Sequence, residues 1–268
     1  MSTLYERLDA LGDRLSTPWP FIWKGAWNRR NLLGGNLFLI QILVFGLFGI
    51  AFPYFASNQF VAANGVTVWD PETAFDRAIP VIPWMVVPYM ALYLYYPVTL
   101  LCTPKDDRSR LELIAGVQML CVATLACTAI FLLLPAEVDM RDQIPVEILE
   151  GDGLYSSLFS QMHAMDEPWN AWPSLHIAHS YFLTRAISRW VKIRSPESNI
   201  GKIFVTLVWI EFILLSISIT TTKQHYIWDL FTGLAVGFFG WWVAVRALDR
   251  IRDFSDEKLD IYPVKQSS

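Results

Sequence analysis

Charge is what this chain has least of. Only 17% of its 268 residues are Asp, Glu, Lys or Arg, where a soluble domain carries about 25%. The charges that remain sit in short segments between long windows that hold almost none. A net charge of −4 and the lack of any basic-aromatic patch give nucleic acid no footing. Cysteine is scarce as well. Cys102, Cys121 and Cys127 fall in or at the end of apolar windows without a CxxC pair, and they read as small hydrophobes rather than bridges or metal ligands. The sequence has no Walker loop, no carboxylate cluster suited to Mg²⁺ and no HExxH pattern. Nor does it show a cleavable leader. The first apolar run starts near Asn36, behind a charged segment, and exceeds a signal-peptide core of about 7–15 residues. That run is expected to remain as a span.

What is present is apolar, at 54% hydrophobic residues, with 15 prolines and 12 tryptophans suited to membrane helices and their aromatic anchors. A span needs about 20 mainly apolar residues. Five windows qualify: Asn36 to Phe55, Ile79 to Leu101, Leu111 to Pro135, Ile203 to Thr222 and Tyr226 to Leu248. A sixth, Pro173 to Val191, is more polar, with two histidines and two arginines, and is expected to face the inside of a bundle. The fold expected is therefore all-α and polytopic, with six transmembrane helices. Residues 1–35 read as an amphipathic interfacial segment, with Trp19, Trp23 and Trp27 at every fourth position. Residues 36–250 form the transmembrane domain and 251–268 a tail. Trp241 and Trp242 read as an interfacial belt. With six spans, every Lys and Arg except Arg77, Arg141 and Lys223 sorts to one side, which places both termini in the cytoplasm.

All four histidines, His163, His176, His179 and His225, then map to the opposite face, with Arg141 and Lys223 nearby. In Trp172-Pro173-Ser174-Leu175-His176, Ser174 is placed as a helix N-cap, so that the first amides of the helix can hold an anion next to His176. In His225-Tyr226-Ile227-Trp228-Asp229, the histidine and aspartate share a helix face. The carboxylate can fix one ring nitrogen and leave the other as a nucleophile or base. Phosphoryl transfer mainly needs charge stabilisation and an in-line nucleophile. On this reading His225 is the nucleophile, oriented by Asp229, and His176 is the general acid. Ser174, Arg141 and Lys223 bind the phosphate. His179 is either packing or a helper, His163 a solvated loop residue, and Arg141 is as well suited to a local ion pair in its acidic loop as to a phosphate.

These motifs resemble those of the type 2 phosphatidic acid phosphatase superfamily, over about Phe131 to Gly233. Pro173-Ser174-Leu175-His176 is similar to its second motif, and Lys223-Gln224-His225-Tyr226-Ile227-Trp228-Asp229 with Gly233 to its third. Asp166-Glu167-Pro168-Trp169-Asn170 resembles the run leading into the second. The resemblance implies a haloperoxidase-like helical bundle, a phosphohistidine intermediate, no cofactor and no metal, and a lipid phosphate as substrate at the outer leaflet. The first motif departs from the pattern, with Leu134 at its Lys and Asp142 at its Pro, while Arg141 keeps its Arg. Ser218-Ile219 lacks the Arg of the third, a charge that Lys223 is placed to supply. The leucine of the second motif and Tyr226 are similar to the inositol phosphorylceramide and sphingomyelin synthase branch. Phosphatase and head-group transferase both stay open. Two rivals stand beside them: a zinc hydrolase using His176, His179, His225 and Asp229, and a transporter, for which Glu211 is the main charge deep in a span.

Overall fold

In the computed structural model, which describes residues 2–259, the chain is a bundle of helices. We label these α1 (Ser2–Ser16), α2 (Pro20–Asn28), α3 (Leu32–Asn64), α4 (Ala74–Ala78), α5 (Pro83–Cys102), α6 (Asp107–Leu133), α7 (Leu154–Met165), α8 (Leu175–Arg194), α9 (Asn199–Thr221) and α10 (Ile227–Arg252). Among the described residues the only β pairing is an isolated bridge between Ala136 and Asn170. Five helices, α3, α5, α6, α9 and α10, are long and apolar enough to cross a membrane. This is the architecture of a membrane protein. The sixth expected window forms α8, a helix of 20 residues. It is not among those five, because its histidines and arginines take it out of the apolar class. Of the expected tail, residues 260–268 lie outside the described residues.

Local chemistry explains where the helices bend and stop. Leu33, Gly34 and Gly35 adopt left-handed φ values of 52°, 64° and 89°, so regular α-helix starts at Asn36. Pro53 has no N–H to give to the preceding turn, and the helix answers with a π turn over Leu47–Ala51. Helix α5 is broken at Ala91, between Pro88 and Pro97. The start of α6 is capped by Asp106, whose carboxylate accepts from the Ser109 amide at 3.0 Å.

Helix α8 is the central strut, packed against α5, α6, α9 and α10. Two glycines let α10 come close to it. A methyl group at Gly233 would stand 2.5 Å from the Ser174 carbonyl oxygen, and one at Gly237 2.8 Å from that of Ala178. The far end of the bundle is clamped by charge. Glu112, fully buried on α6, accepts from Arg189 and Trp190 of α8 and from Arg252 of α10, at 2.6–3.0 Å. A buried carboxylate needs such partners.

The tryptophans depart from expectation. Trp23 and Trp27 are buried in the main core rather than anchored at an interface. The reason is Gln118 in α6, whose side-chain oxygen accepts from the Trp23 indole at 2.5 Å and from the Trp19 amide at 2.9 Å. Its NH₂ group donates to the carbonyls of Leu15 and Thr17. A buried amide thus draws the N-terminal segment onto the bundle. Trp241 is also core, edge-on to Phe182 at 5.3 Å. The three cysteines are free thiols, two buried and one partly so.

Candidate active site

At the end of the bundle opposite the Glu112 clamp, the turn between α9 and α10 carries His225, and α10 opens with Asp229. His225 Nδ1 lies 3.1 Å from Asp229 Oδ2 and 3.0 Å from the Ala171 carbonyl oxygen. Both partners are acceptors, so Nδ1 carries the proton and Nε2 is left with its lone pair. That lone pair points toward the Ser174 hydroxyl, 3.4 Å away. The same Asp229 oxygen accepts from the Tyr226 amide at 2.9 Å, tying the carboxylate into the helix start. The Ser174 amide donates to the Asp229 carbonyl at 3.2 Å, which stitches the beginnings of α8 and α10 together. The bond between Trp172 and Pro173 just before is cis.

Ser174 occupies the N-cap position of α8, as expected, but its hydroxyl makes no capping bond and faces His225 instead. His176 lies in the first turn of α8, its ring centroid 5.6 Å from that of His225. Its Nε2 is buried with no hydrogen-bond partner. Its other side is covered by the Tyr89 ring at 4.4 Å. Tyr89 in turn donates to Asp166 Oδ2 at 3.0 Å, and Tyr54 to Asp166 Oδ1 at 2.5 Å. Asp166, buried between two tyrosines, holds the wall against which His176 rests.

Arg141 comes to this wall. Its guanidinium donates to the Asp166 carbonyl and, at 3.2 Å, to Gln224 Oε1. Its Nε is buried without a partner. The acids of its own loop do not claim it: Asp139 and Asp142 approach Arg77, at 3.8 and 3.9 Å. Burial pushes the Arg141 pKa down while Asp166 pulls it up, and a guanidinium stays charged in either case. Gln224 is held from both ends, since its NH₂ donates to His163 Nε2 at 3.1 Å and to the Thr222 carbonyl. His163 is therefore not a solvated loop residue. Burial first, and then Arg141, lower its pKa to about 4, so it is neutral and accepts.

The other two expected site residues lie apart. Lys223 is buried, but its ammonium donates to the Asp76 carbonyl of α4 at 2.9 Å. Burial lowers its pKa, and the Asp76 carboxylate opposes the shift. The side chain is aimed there by a left-handed backbone, with φ of 60°. Asp76 itself accepts from the Ile227 amide at 2.6 Å, so α4 is pinned to the start of α10. His179 is spent on packing. The Thr124 hydroxyl donates to the Leu120 carbonyl, so His179 Nε2 donates to Thr124 and Nδ1 accepts from Tyr96 at 2.7 Å. The zinc set of the rival reading is not assembled: among the described residues no group of three or more potential metal ligands is brought together.

Beneath His176 an apolar cavity of about 550 Å³ opens between α3, α5, α6 and α8. Tyr54, Leu92, Tyr96, Leu120, His176 and His179 are among its lining residues. His176 is thus the contact between a greasy cleft and a polar cluster. Sequence reasoning found His225, Asp229, Ser174 and His176, which the structure brings together, and Arg141, which it sets beside Asp166 and Gln224. It missed Tyr54, Tyr89 and Gln224 as parts of the site, and it gave Asp166 no role. Gln224 alone had a local signal, as the neighbour of the candidate nucleophile.

Compared with protein-family models, curated proteins and solved structures, the chain finds no match in any of the three.

Proposed function

We propose that this protein is a six-span membrane enzyme that breaks the phosphate ester of a lipid through a covalent intermediate on His225. The observation that carries the reading is the fixed tautomer of His225. Its Nδ1 proton is shared between Asp229 and the Ala171 carbonyl, and its Nε2 meets only the Ser174 hydroxyl, at a long 3.4 Å. His179, which is spent on packing, is held more closely on both nitrogens, at 2.7 and 3.1 Å.

The chemistry follows from the geometry. The Nε2 lone pair attacks phosphorus and a P–N bond forms as the P–O bond to the lipid alcohol breaks. His176, taking up a proton as the anion binds, gives it to the departing oxygen. Water, or an alcohol, then attacks phosphorus from the vacated side, loses its proton to His176 and releases His225. Arg141, the Ser174 hydroxyl and the start of α8 hold the non-bridging oxygens. Water as acceptor makes the protein a phosphatase; an alcohol makes it a head-group transferase. The residues present need no metal for these steps.

The cavity below His176 supports a lipid as the carrier of the phosphate, because its lining is almost wholly apolar. Helix α8 is read as the sixth span. It is long enough, and the bundle buries His176, His179, Ser180 and Thr184, while Arg185, Lys192 and Arg194 stay exposed. Both termini then lie in the cytoplasm and the site faces the other side. The type 2 phosphatidic acid phosphatase resemblance agrees with this reading.

The test is release of diacylglycerol or its equivalent from a panel of lipid phosphates by detergent-solubilised protein in EDTA. Turnover that persists in chelator and vanishes in His225→Ala supports the proposal. Turnover that needs an added divalent ion, or that survives in the mutant, contradicts it.

A further inference from the structure

We infer that two copies of this chain pair in the membrane through the outward face of α9, with Arg185 of each copy bound to Glu211 of the other. The pairing is independent of the chemistry at His225 and takes α8 as the sixth span. Two charges that the bundle leaves alone point to it. Glu211 lies deep in α9, about 18 Å from its Asn199 end and about 15 Å from its Thr221 end. Its Oε1 is buried without a hydrogen-bond partner, and the Tyr95 hydroxyl beside it is given to the Val208 carbonyl at 3.1 Å. Arg185 is exposed midway along α8 and rests over the Trp241 ring at 5.5 Å. Among the described residues neither has a partner of opposite charge. One turn further along α8, by contrast, Arg189 takes both Glu112 and Asp249. Charges within a span are costly and are found paired.

The two lie at one depth. Helices α8 and α9 run in opposite directions, and the Trp209 indole donates to Ser188 Oγ at 3.1 Å, which fixes their register. From that rung Arg185 is set three residues toward the His176 end and Glu211 two, so their backbones differ in height by about 1.5 Å. Between them runs the outward stripe of α9: Ile203, Leu207, Ile210, Ile213 and Ile217, each 44–61% exposed. Glu211 borders the stripe on the α5 side, where Val208, one turn earlier, receives Tyr95. Arg185 borders it on the α10 side, next to Trp241.

Every copy of a chain enters a membrane the same way up, so a two-fold axis between two copies runs along the membrane normal. A half-turn about that axis keeps the depth of each residue and exchanges the flanks of the stripe. Glu211 of one copy then faces Arg185 of the other, and the contact occurs twice, as an isologous interface requires. Charges at different depths, or on the same flank, would not meet under this symmetry. The apolar stripe gives little drive by itself, because lipid tails match it. The two ion pairs supply the drive, in a layer where neither water nor salt screens them.

The test follows energy transfer between donor- and acceptor-labelled copies of the full chain, tagged at the C-terminus, in phosphatidylcholine vesicles at a series of protein-to-lipid ratios. Wild type is expected to dimerise. Glu211→Gln and Arg185→Gln should each raise the dissociation constant about tenfold or more, since each removes both interhelical pairs. Arg185→Glu combined with Glu211→Arg in one chain should return it to within about threefold of wild type. Cross-linking reads the same face without touching a charge. On oxidation in the membrane, Ile210→Cys at the centre of the stripe should give a disulfide-linked dimer above the wild-type background, and Phe48→Cys, equally exposed on α3, should not. Where a charge variant fails to fold, the cross-link decides. A monomeric wild type overturns the inference, as does a dimer indifferent to both single charge variants. So does an exchange variant that folds but stays monomeric, or a dimer that links through Phe48→Cys and not through Ile210→Cys.

Discussion

Gly233 of α10 lies directly against Ser174 of α8, with room for nothing larger than its hydrogen. A methyl group there would meet the Ser174 carbonyl oxygen at 2.5 Å and Ile177 Cβ at 2.9 Å. Both obstacles belong to a rigid helix start, so the helices must part. The parts of the candidate site sit on opposite sides of this contact: Ser174 and His176 at the start of α8, His225 in the turn before α10 and Asp229 in its first turn. A single small residue therefore sets the distance between His225 and His176, the proposed nucleophile and acid.

Gly233→Ala should cost far more activity than stability. A misplacement of about 1 Å in reacting groups is worth on the order of 10²-fold in rate. The check is kcat together with thermal unfolding of the same preparation. A variant that keeps wild-type kcat would show that the α8–α10 spacing does not govern the chemistry.

Lys223 was expected to bind phosphate, but the structure gives its ammonium to the Asp76 carbonyl. Lys223→Met should leave kcat/KM within about threefold while lowering stability by about 1–3 kcal/mol, the scale of a lost buried hydrogen bond to a charged group. Arg141→Met should lower kcat/KM by about 10²-fold or more, as loss of an oxyanion donor does. Equal losses from the two variants would return Lys223 to the phosphate.

The half-buried His163 predicts an acid limb in stability. Its folded pKa of about 4 lies below the ordinary 6.5, so the unfolded chain binds more protons between those values. The stability tied to neutral His163 is then fully present above about pH 6.5 and is lost as pH falls toward 4. Protonation also takes away the acceptor for Gln224, and with it one anchor of Arg141. Melting temperatures from pH 7.5 to 4.5 should fall less steeply for His163→Gln, whose amide oxygen still accepts but does not titrate. Parallel curves for the two proteins would remove His163 from this role.

Much of the fold was legible because hydropathy is local. The start of regular helix at Asn36 and the extents of α6, α9 and α10 follow from windows a few turns long. His225 with Asp229 was legible from its spacing, although His225 lies in the turn just ahead of the Tyr226 N-cap and not on the helix that carries Asp229. Other parts depended on partners far away. Asp166 takes Tyr54 from 112 residues back and Tyr89 from 77, and no spacing rule reaches that far. The direction of Lys223 is set by Asp76, 147 residues earlier, and by a left-handed φ that a lysine does not advertise. The tryptophan repeat Trp19, Trp23 and Trp27 gave the right helical face but the wrong surroundings, because Gln118 is 95 residues downstream of Trp23. Local pattern thus located the histidine cluster, and tertiary packing decided which side chains surround it.

The most direct measurement is to quench the purified protein with acid-free denaturant during turnover of a lipid carrying ³²P, digest it at alkaline pH, and map the label by mass spectrometry. A phosphohistidine is stable to base and labile to acid, which separates it from phosphoserine. The account predicts label on His225, lost on acid treatment, absent from His225→Ala, and formed more slowly in His176→Ala, which lacks the acid of the first step. Label on Ser174, or turnover without any covalent label at His225, would contradict it.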